Sequence, residues 1–334
     1  MGQCPYRSII PPTPYGTSRP LWSVMIPTYN CAKYLPQTLT SVLVQDPGPD
    51  VMQIEVIDDY STDNPETVAN DLGHGRVNFY RQPENVGHIK NFETCLRRSR
   101  GMLIHLLHGD DCVRDGFYQK MQQAFDENPE IGAAFCRQIF MDEHGHWQGI
   151  SDLEQLTSGI LHNGLERLAV EQRIMTPSIV VRRDVYEILG GFDRRLMCSE
   201  DWEMWVRVAA HYLIWYEVEP LAVYRMHTES NTGRHVRNGE DVIYTHQAIE
   251  IIKKYLPSES AEKLSAKAKE TYALSALDIA YSMLTKRDMP AAIAQTREAF
   301  KLSYSLKVIQ RFIQLLIRAQ VRGLHKRFQR RQFP

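Results

Sequence analysis

The sequence predicts an α/β fold: a mostly parallel, Rossmann-like sheet flanked by helices, followed by a C-terminal helical extension. Three observations carry this expectation. Short apolar runs recur at 22–26, 53–57 and 103–107, and each passes straight into polar residues. Segments with apolar residues three and four apart separate the runs, as helices between parallel strands would. After about Arg237 the strand-like runs stop.

Taken in order, residues 1–20 are polar and proline-rich, with four prolines between Pro11 and Pro20, and read as a flexible or loosely packed arm. The first strand, from Trp22 to Ile26, ends at Pro27-Thr28-Tyr29-Asn30. A helix over roughly Ala32 to Gln45 carries Leu35, Leu39, Val42 and Leu43 on one face. The second strand ends at Asp58-Asp59, and a short run from Val77 to Tyr80 leads into Glu84-Asn85-Val86-Gly87. Lys90 would lie one turn into the next helix, whose N-terminus suits a diphosphate, although a solvated lysine is the plainer reading. The run Leu103–Leu107 delivers His108-Gly109-Asp110-Asp111, with a helix from near Arg114. Further on, Ser199 reads as an N-cap that places Glu200 and Asp201 in the first turn of a helix with Trp202, Trp205, Val206, Val208 and Ala209 on one side. Acidic residues belong at helix N-termini for dipole reasons alone, so composition leaves the role of this pair open.

Parallel alignment brings Pro27–Asn30, Asp58-Asp59 and Asp110-Asp111 to one sheet edge, where open α/β sheets bind ligands. Adjacent carboxylates repel one another and are eased by a shared cation, and hard oxygen ligands suit Mg²⁺ or Mn²⁺. The structural alternative for each pair is a capped turn.

The formal net charge of -1 implies no nucleic-acid partner. Six scattered cysteines with no Cys-x-x-Cys spacing read as reduced thiols in a cytoplasmic protein. No apolar run approaches the roughly 20 residues that span a bilayer. Gly-x-Gly-x-x-Gly and Walker-type Gly-Lys-Ser/Thr are both absent, which argues against a dehydrogenase or a P-loop enzyme. A sugar nucleotidyltransferase would need a glycine-rich basic loop where Pro27-Thr28-Tyr29-Asn30 stands.

Seven motifs then fall in order: Met25–Asn30, Val56–Asp63, Glu84–Gly87, Gly109–Asp111, Gly190–Asp193, Ser199–Trp202 and Tyr224–His227. Together they resemble the nucleotide-binding half of family 2 glycosyltransferases, over about Trp22 to His227. The resemblance implies a GT-A type fold and inverting transfer of a sugar from a nucleotide diphosphate sugar to a glycan or lipid-linked acceptor. It implies that Asp59 serves the base, with Asp58 more structural, and that Pro27, Thr28, Tyr29, Asn30, Asn85, Gly87, Lys90 and Asp110 line the nucleotide site. Asp111 and His227 would hold the metal, Asp201 would be the general base and Glu200 would orient the acceptor. UDP or dTDP donors are favoured. A uracil or thymine N–H can donate to a carboxylate such as Asp59, while the Pro27–Asn30 turn offers an aromatic face. His108 stands where the family's first metal-motif aspartate is often found, and reads as a locally satisfied loop histidine or a weak ligand. This departure motivates the alternative of a protein that binds nucleotide sugar without turnover. Gly190-Gly191 is expected to form a tight turn near the acceptor.

The chain is thus divided into an arm (1–20), a catalytic domain (21–237) and a helical region (238–334) broken at Pro257 and Pro290. Ala273, Ala276, Leu277, Ala280 and Leu284 form one helical stripe. After Glu298 no acidic residue occurs, while nine lysines and arginines do, and Ile309, Phe312, Ile313, Leu316, Ile317, Val321, Leu324 and Phe328 line one face. Such a tail suits peripheral contact with the inner face of a membrane, or packing as an ordinary terminal helix.

Overall fold

The computed structural model describes residues 4–14, 16, 19–227 and 231–332, with side chains left undescribed at 231, 232, 234 and 321–332. The first half runs β1 (Trp22–Thr28), α1 (Leu35–Leu43), β2 (Met52–Asp58), α2 (Pro65–Gly73), β3 (Asn78–Arg81), α3 (His88–Arg98), β4 (Leu103–Leu106), β5 (Cys112–Val113) and α4 (Phe117–Glu127). Then come β6 (Ile131–Asp142), β7 (Trp147–Ile150), β8 (Gly159–Ile160), α5 (Gly164–Val170), β9 (Ile179–Arg182), α6 (Arg183–Leu189), α7 (Glu200–Ala209) and β10 (Leu213–Met226). The remainder is helical: α8 (Asn231–Val236), α9 (Glu240–Ile252), α10 (Ser258–Thr285), α11 (Met289–Leu302) and α12 (Leu306–Gln332).

The strands form one sheet in the order β3-β2-β1-β4-β9-β6-β10-β5, with β7 on β6 and β8 on β10. Pairing is parallel from β3 through β4 and between β6 and β10, and antiparallel around β9 and β5. β1 and β2 are buried at every residue, as strands covered by helices on both faces must be. Trp22, Val24 and Ile26 of β1 pack with Leu35, Leu39 and Val42 of α1 and with Ile54 and Val56 of β2. The chain leaves β1 for β2 on one side and returns to β4 on the other, so the strand order reverses at the C-terminal end of β1. That crevice is where such sheets take ligands.

Two compact units divide the chain: residues 1–168 with 172–227, and residues 169–171 with 228–334. The sequence boundary at 237 therefore falls ten residues beyond the structural one at 227 (237 − 227). The second unit has its own core of Val242, Ala273, Ala276, Leu277, Ala299, Leu302, Val308 and Leu315. Asp288 caps α11 by accepting from the Ala291 N–H, with Pro290 in the first turn where its missing N–H costs nothing.

Two expectations are corrected. The N-terminal segment is docked rather than loose: Ile10 is buried, the Gly191 N–H donates to Ser8 O at 2.9 Å, and Arg7 bridges Asp193. Gly190-Gly191 receives that segment, since a Cβ on Gly191 would lie 2.3 Å from Ser8 Oγ. The helix expected from near Arg114 starts at Phe117, after Gly116 at φ 86°.

Candidate active site

The switch-point crevice gathers loops from β1, β2, β4 and β10. After β1, Pro27 and Thr28 are buried strand residues, and only Tyr29 and Asn30 reach the surface. Asn30, at φ 51°, accepts the Thr62 N–H on Oδ1 at 2.8 Å, which ties the first loop to the second. Asp58 is fully buried and holds its own turn, accepting from the Ser61 N–H and facing Arg81 at 3.2 Å. Asp59 grips the loop after β3: its carboxylate accepts from the Val86 N–H (2.7 Å) and the Gly87 N–H (2.9 Å), while Asn85 Nδ2 donates to its carbonyl. Gly87 takes φ 83°, a conformation that suits glycine at the entrance to α3. Burial raises the Asp59 pKa, against the lowering effect of those two N–H groups. Lys90 is exposed on α3.

The loop after β4 approaches β1 closely. The Gly109 N–H donates to Pro27 O at 3.1 Å, and a Cβ there would stand 2.8 Å from Cys31 Sγ and 3.0 Å from Thr28 Oγ1. His108, Asp110 and Asp111 offer ligand atoms within 4.8 Å of one another. Asp110 Oδ2 lies 2.8 Å from His227 Nε2, which the end of β10 delivers. Asp111 is set deeper: Oδ1 accepts the Arg225 N–H at 2.8 Å, and Oδ2 is buried without a hydrogen-bond partner, 3.4 Å from His108 Nδ1. Arg225 also donates from Nε to Asp110 O and lies 4.4 Å over the Tyr34 ring. Of the two aspartates, Asp110 is thus the one brought against His227, with Asp111 beneath it. The orphaned Asp111 oxygen and the oxygen–nitrogen donor set fit a divalent cation.

Charge is unevenly shared in this cluster. Burial raises the Asp111 pKa to about 6 despite the His108 imidazole beside it. At Asp110 burial acts the same way, but His227 and His108 overcome it and hold the group below the usual carboxylate range. Burial disfavours the charged form of His108, yet Asp111, Asp110 and Asp201 outweigh that and lift its pKa to about 9. His108 also stacks on Phe92 at 5.3 Å and 12°, and its Nε2 finds no hydrogen-bond partner, so it is not the satisfied loop histidine the sequence suggested.

Glu200 and Asp201 open α7, with Ser199 at its N-cap position as expected. Ser199 is left-handed at φ 65° and makes no capping hydrogen bond. Glu200 faces His88 Nε2 at 3.3 Å. Burial opposes its charge, but His88 overrides this and lowers the pKa. Asp201 accepts from Gln172 Nε2 (2.7 Å) and Thr176 Oγ1 (3.2 Å) on Oδ2, and from the Trp202 N–H (2.8 Å) on Oδ1. Burial and the neighbouring Glu200 charge push its pKa up to about 7, within reach of neutral pH for proton transfer.

Sequence reasoning missed several contributors. Tyr60 is exposed beside Asp59 with Arg81 4.8 Å over its ring, and the aromatic at a strand end was a usable signal. Arg225, two residues before His227, was visible but unassigned. His88 and its pairing with Glu200 had no sequence signal.

The mixed sheet flanked by helices, with its switch-point crevice, resembles that of GT-A glycosyltransferases. Residues 23–189 match the model of glycosyl transferase family 2, and the chain belongs to that family. An uncharacterized protein of Mycobacterium tuberculosis is 28% identical over 238 residues, spanning 68% of this chain and 73% of the relative. Among solved structures, S. aureus TarS residues 1–349 in complex with UDP-GlcNAc superposes with TM-score 0.58 at 13% identity, covering 84% of this chain and 91% of that one. The mannosyltransferase PcManGT of Pyrobaculum calidifontis, in complex with GDP-Man and Mn2+, gives 0.57 at 18% identity, covering 94% and 83%. The protein is a glycosyltransferase.

Proposed function

We propose that the enzyme moves a sugar with inversion from a nucleoside diphosphate sugar, UDP- or dTDP-linked, to an acceptor hydroxyl of a glycan or lipid-linked saccharide in cell-surface polysaccharide synthesis. The observation that carries this reading is the pairing of Asp110 Oδ2 with His227 Nε2 at 2.8 Å, on the sheet edge that also bears Asp59. Asp59 receives the pyrimidine N–H on a lone pair not used by Val86 or Gly87, and Tyr29 and Tyr60 flank the ring. The diphosphate lies towards Gly87 and the N-terminus of α3.

Asp110, Asp111 and His227 would hold a divalent cation, Mg²⁺ or Mn²⁺, with the Arg225 N–H steadying Asp111 from behind. When bound, the cation offsets the charge that gathers on the departing diphosphate. Asp201 takes the acceptor hydroxyl proton as the acceptor oxygen bonds to the anomeric carbon and the bond to the diphosphate oxygen breaks. Glu200, held by His88, orients the acceptor. Attack from the face opposite the leaving group inverts the configuration, and no protein nucleophile is used.

Asp201→Asn tests the central role. It is expected to bind nucleoside diphosphate like wild type while transfer and donor hydrolysis fall by about 10²–10⁴-fold. Turnover equal to wild type would remove Asp201 from the mechanism.

A further inference from the structure

We propose that the outward face of α12 is a docking surface for an anionic lipid bilayer. The helix has two apolar sides with different fates. Val308 and Leu315 are buried in the core of the helical unit, and Phe312 packs against it. Leu306, Ile309, Ile313, Leu316 and Ile317 face away from that core, 70%, 40%, 49%, 46% and 55% exposed. At 3.6 residues per turn they fall within an arc of about 100°. A surface helix normally turns its polar side to water, and the packed side of α12 already supplies the core. The outer stripe is therefore surplus to folding of the unit.

The charge pattern selects the occupant. Nine lysines and arginines and no acidic residue follow Glu298. Lys307 and Arg311 lie on one side of the helix, outside the stripe, and pair with Glu270 and Asp278 of α10 at 3.0 and 2.6 Å, which fastens the helix to its unit. Arg318 and, further along the sequence, Arg322, Lys326, Arg327, Arg330 and Arg331 continue the cationic character. The sequence positions Val321, Leu324 and Phe328, which would prolong the stripe, lie outside the described side chains. A helix–helix seam with a second copy would set like charges against each other instead of the opposite charges that flank a coiled-coil seam. A nucleic acid would use the cations and leave the isoleucines in water. An interfacial helix uses both, with apolar side chains at the acyl boundary and cations at anionic headgroups. Among the described residues no helix is long and apolar enough to cross a membrane, so the contact is peripheral.

The test is co-sedimentation of the full chain with vesicles of phosphatidylcholine alone and of equal parts phosphatidylcholine and phosphatidylglycerol. Binding is expected on the anionic vesicles and is expected to weaken with salt. Ile309→Ser, Ile313→Ser, Leu316→Ser and Ile317→Ser combined should reduce partitioning at least about tenfold, with the thermal unfolding profile and nucleotide binding retained. Arg318→Gln, Arg322→Gln and Lys326→Gln should each cost about fivefold on anionic vesicles only. The proposal is overturned if wild type ignores anionic vesicles, or if the serine variant binds them as well as wild type. It is equally overturned if those serines turn a dimer into a monomer by light scattering and leave vesicle binding unchanged.

Discussion

At Glu200 and Asp201 two consecutive carboxylates meet different surroundings. His88 stabilises the charge of the first, while burial and that charge raise the second to about 7. With Asp201 as base, kcat/KM should rise with pH through about 7 and level off above it, and Asp201→Asn should abolish that limb along with the activity. The same shift is a stability statement. An aspartate whose folded pKa lies above its ordinary 3.8 binds its proton more tightly in the folded state, so stability falls as pH rises from about 4 to about 7. Asp201→Asn should therefore be more stable than wild type at pH 8, by on the order of 2–4 kcal/mol. The gain should vanish at pH 4, and urea denaturation at the two pH values checks it. At the proposed metal site, His227→Ala should weaken Mn²⁺ binding at least about tenfold by electron paramagnetic resonance titration. Unchanged affinity would take His227 out of the cation site.

Elements set these residues in place, and the loops that do so tolerate little change. Gly109→Ala would push a methyl to within 2.8–3.0 Å of Cys31 and Thr28, displacing the loop that carries Asp110 and costing about 1–3 kcal/mol. In the last turn of α7, Arg207 is buried and donates to the carbonyls of Leu189 and Gly191 while pairing with Glu203 at 3.0 Å. Arg207→Met would take the Arg207 partner from the buried Glu203 charge, and a loss of about 3–5 kcal/mol in denaturation is expected. β1, β2 and β4 were legible because strands buried on both faces read as short, mostly apolar runs. β6 and β9 were not placed from sequence, since their pairings join Ala133 to Val181 and His105 to Val180 across long stretches of chain. The N-terminal segment was misread because a proline-rich stretch looks unstructured until Ile10 and its carbonyls find partners. Ser199 was placed correctly at the N-cap, but residue type alone hides its left-handed backbone and the lack of a side-chain capping bond.

For the molecule as a whole, the sequence carried the family and the edge of the sheet on which the site lies, because seven motifs kept their order. Which of Asp110 and Asp111 meets His227 was not legible: adjacent carboxylates are separated only by what β10 brings across, namely His227 to one and the Arg225 N–H to the other. The measurement that tests the central claim most directly is a thermal-shift titration with UDP, dTDP and GDP, each with and without Mn²⁺, on wild type and Asp110→Ala. Ligand at about 100 times its Kd adds roughly 2.7 kcal/mol of stability. One nucleotide, UDP or dTDP, should raise the wild-type melting temperature only with Mn²⁺, and Asp110→Ala should abolish the shift. If no nucleotide moves it with Mn²⁺ present, the crevice at the end of β1 is not the donor site.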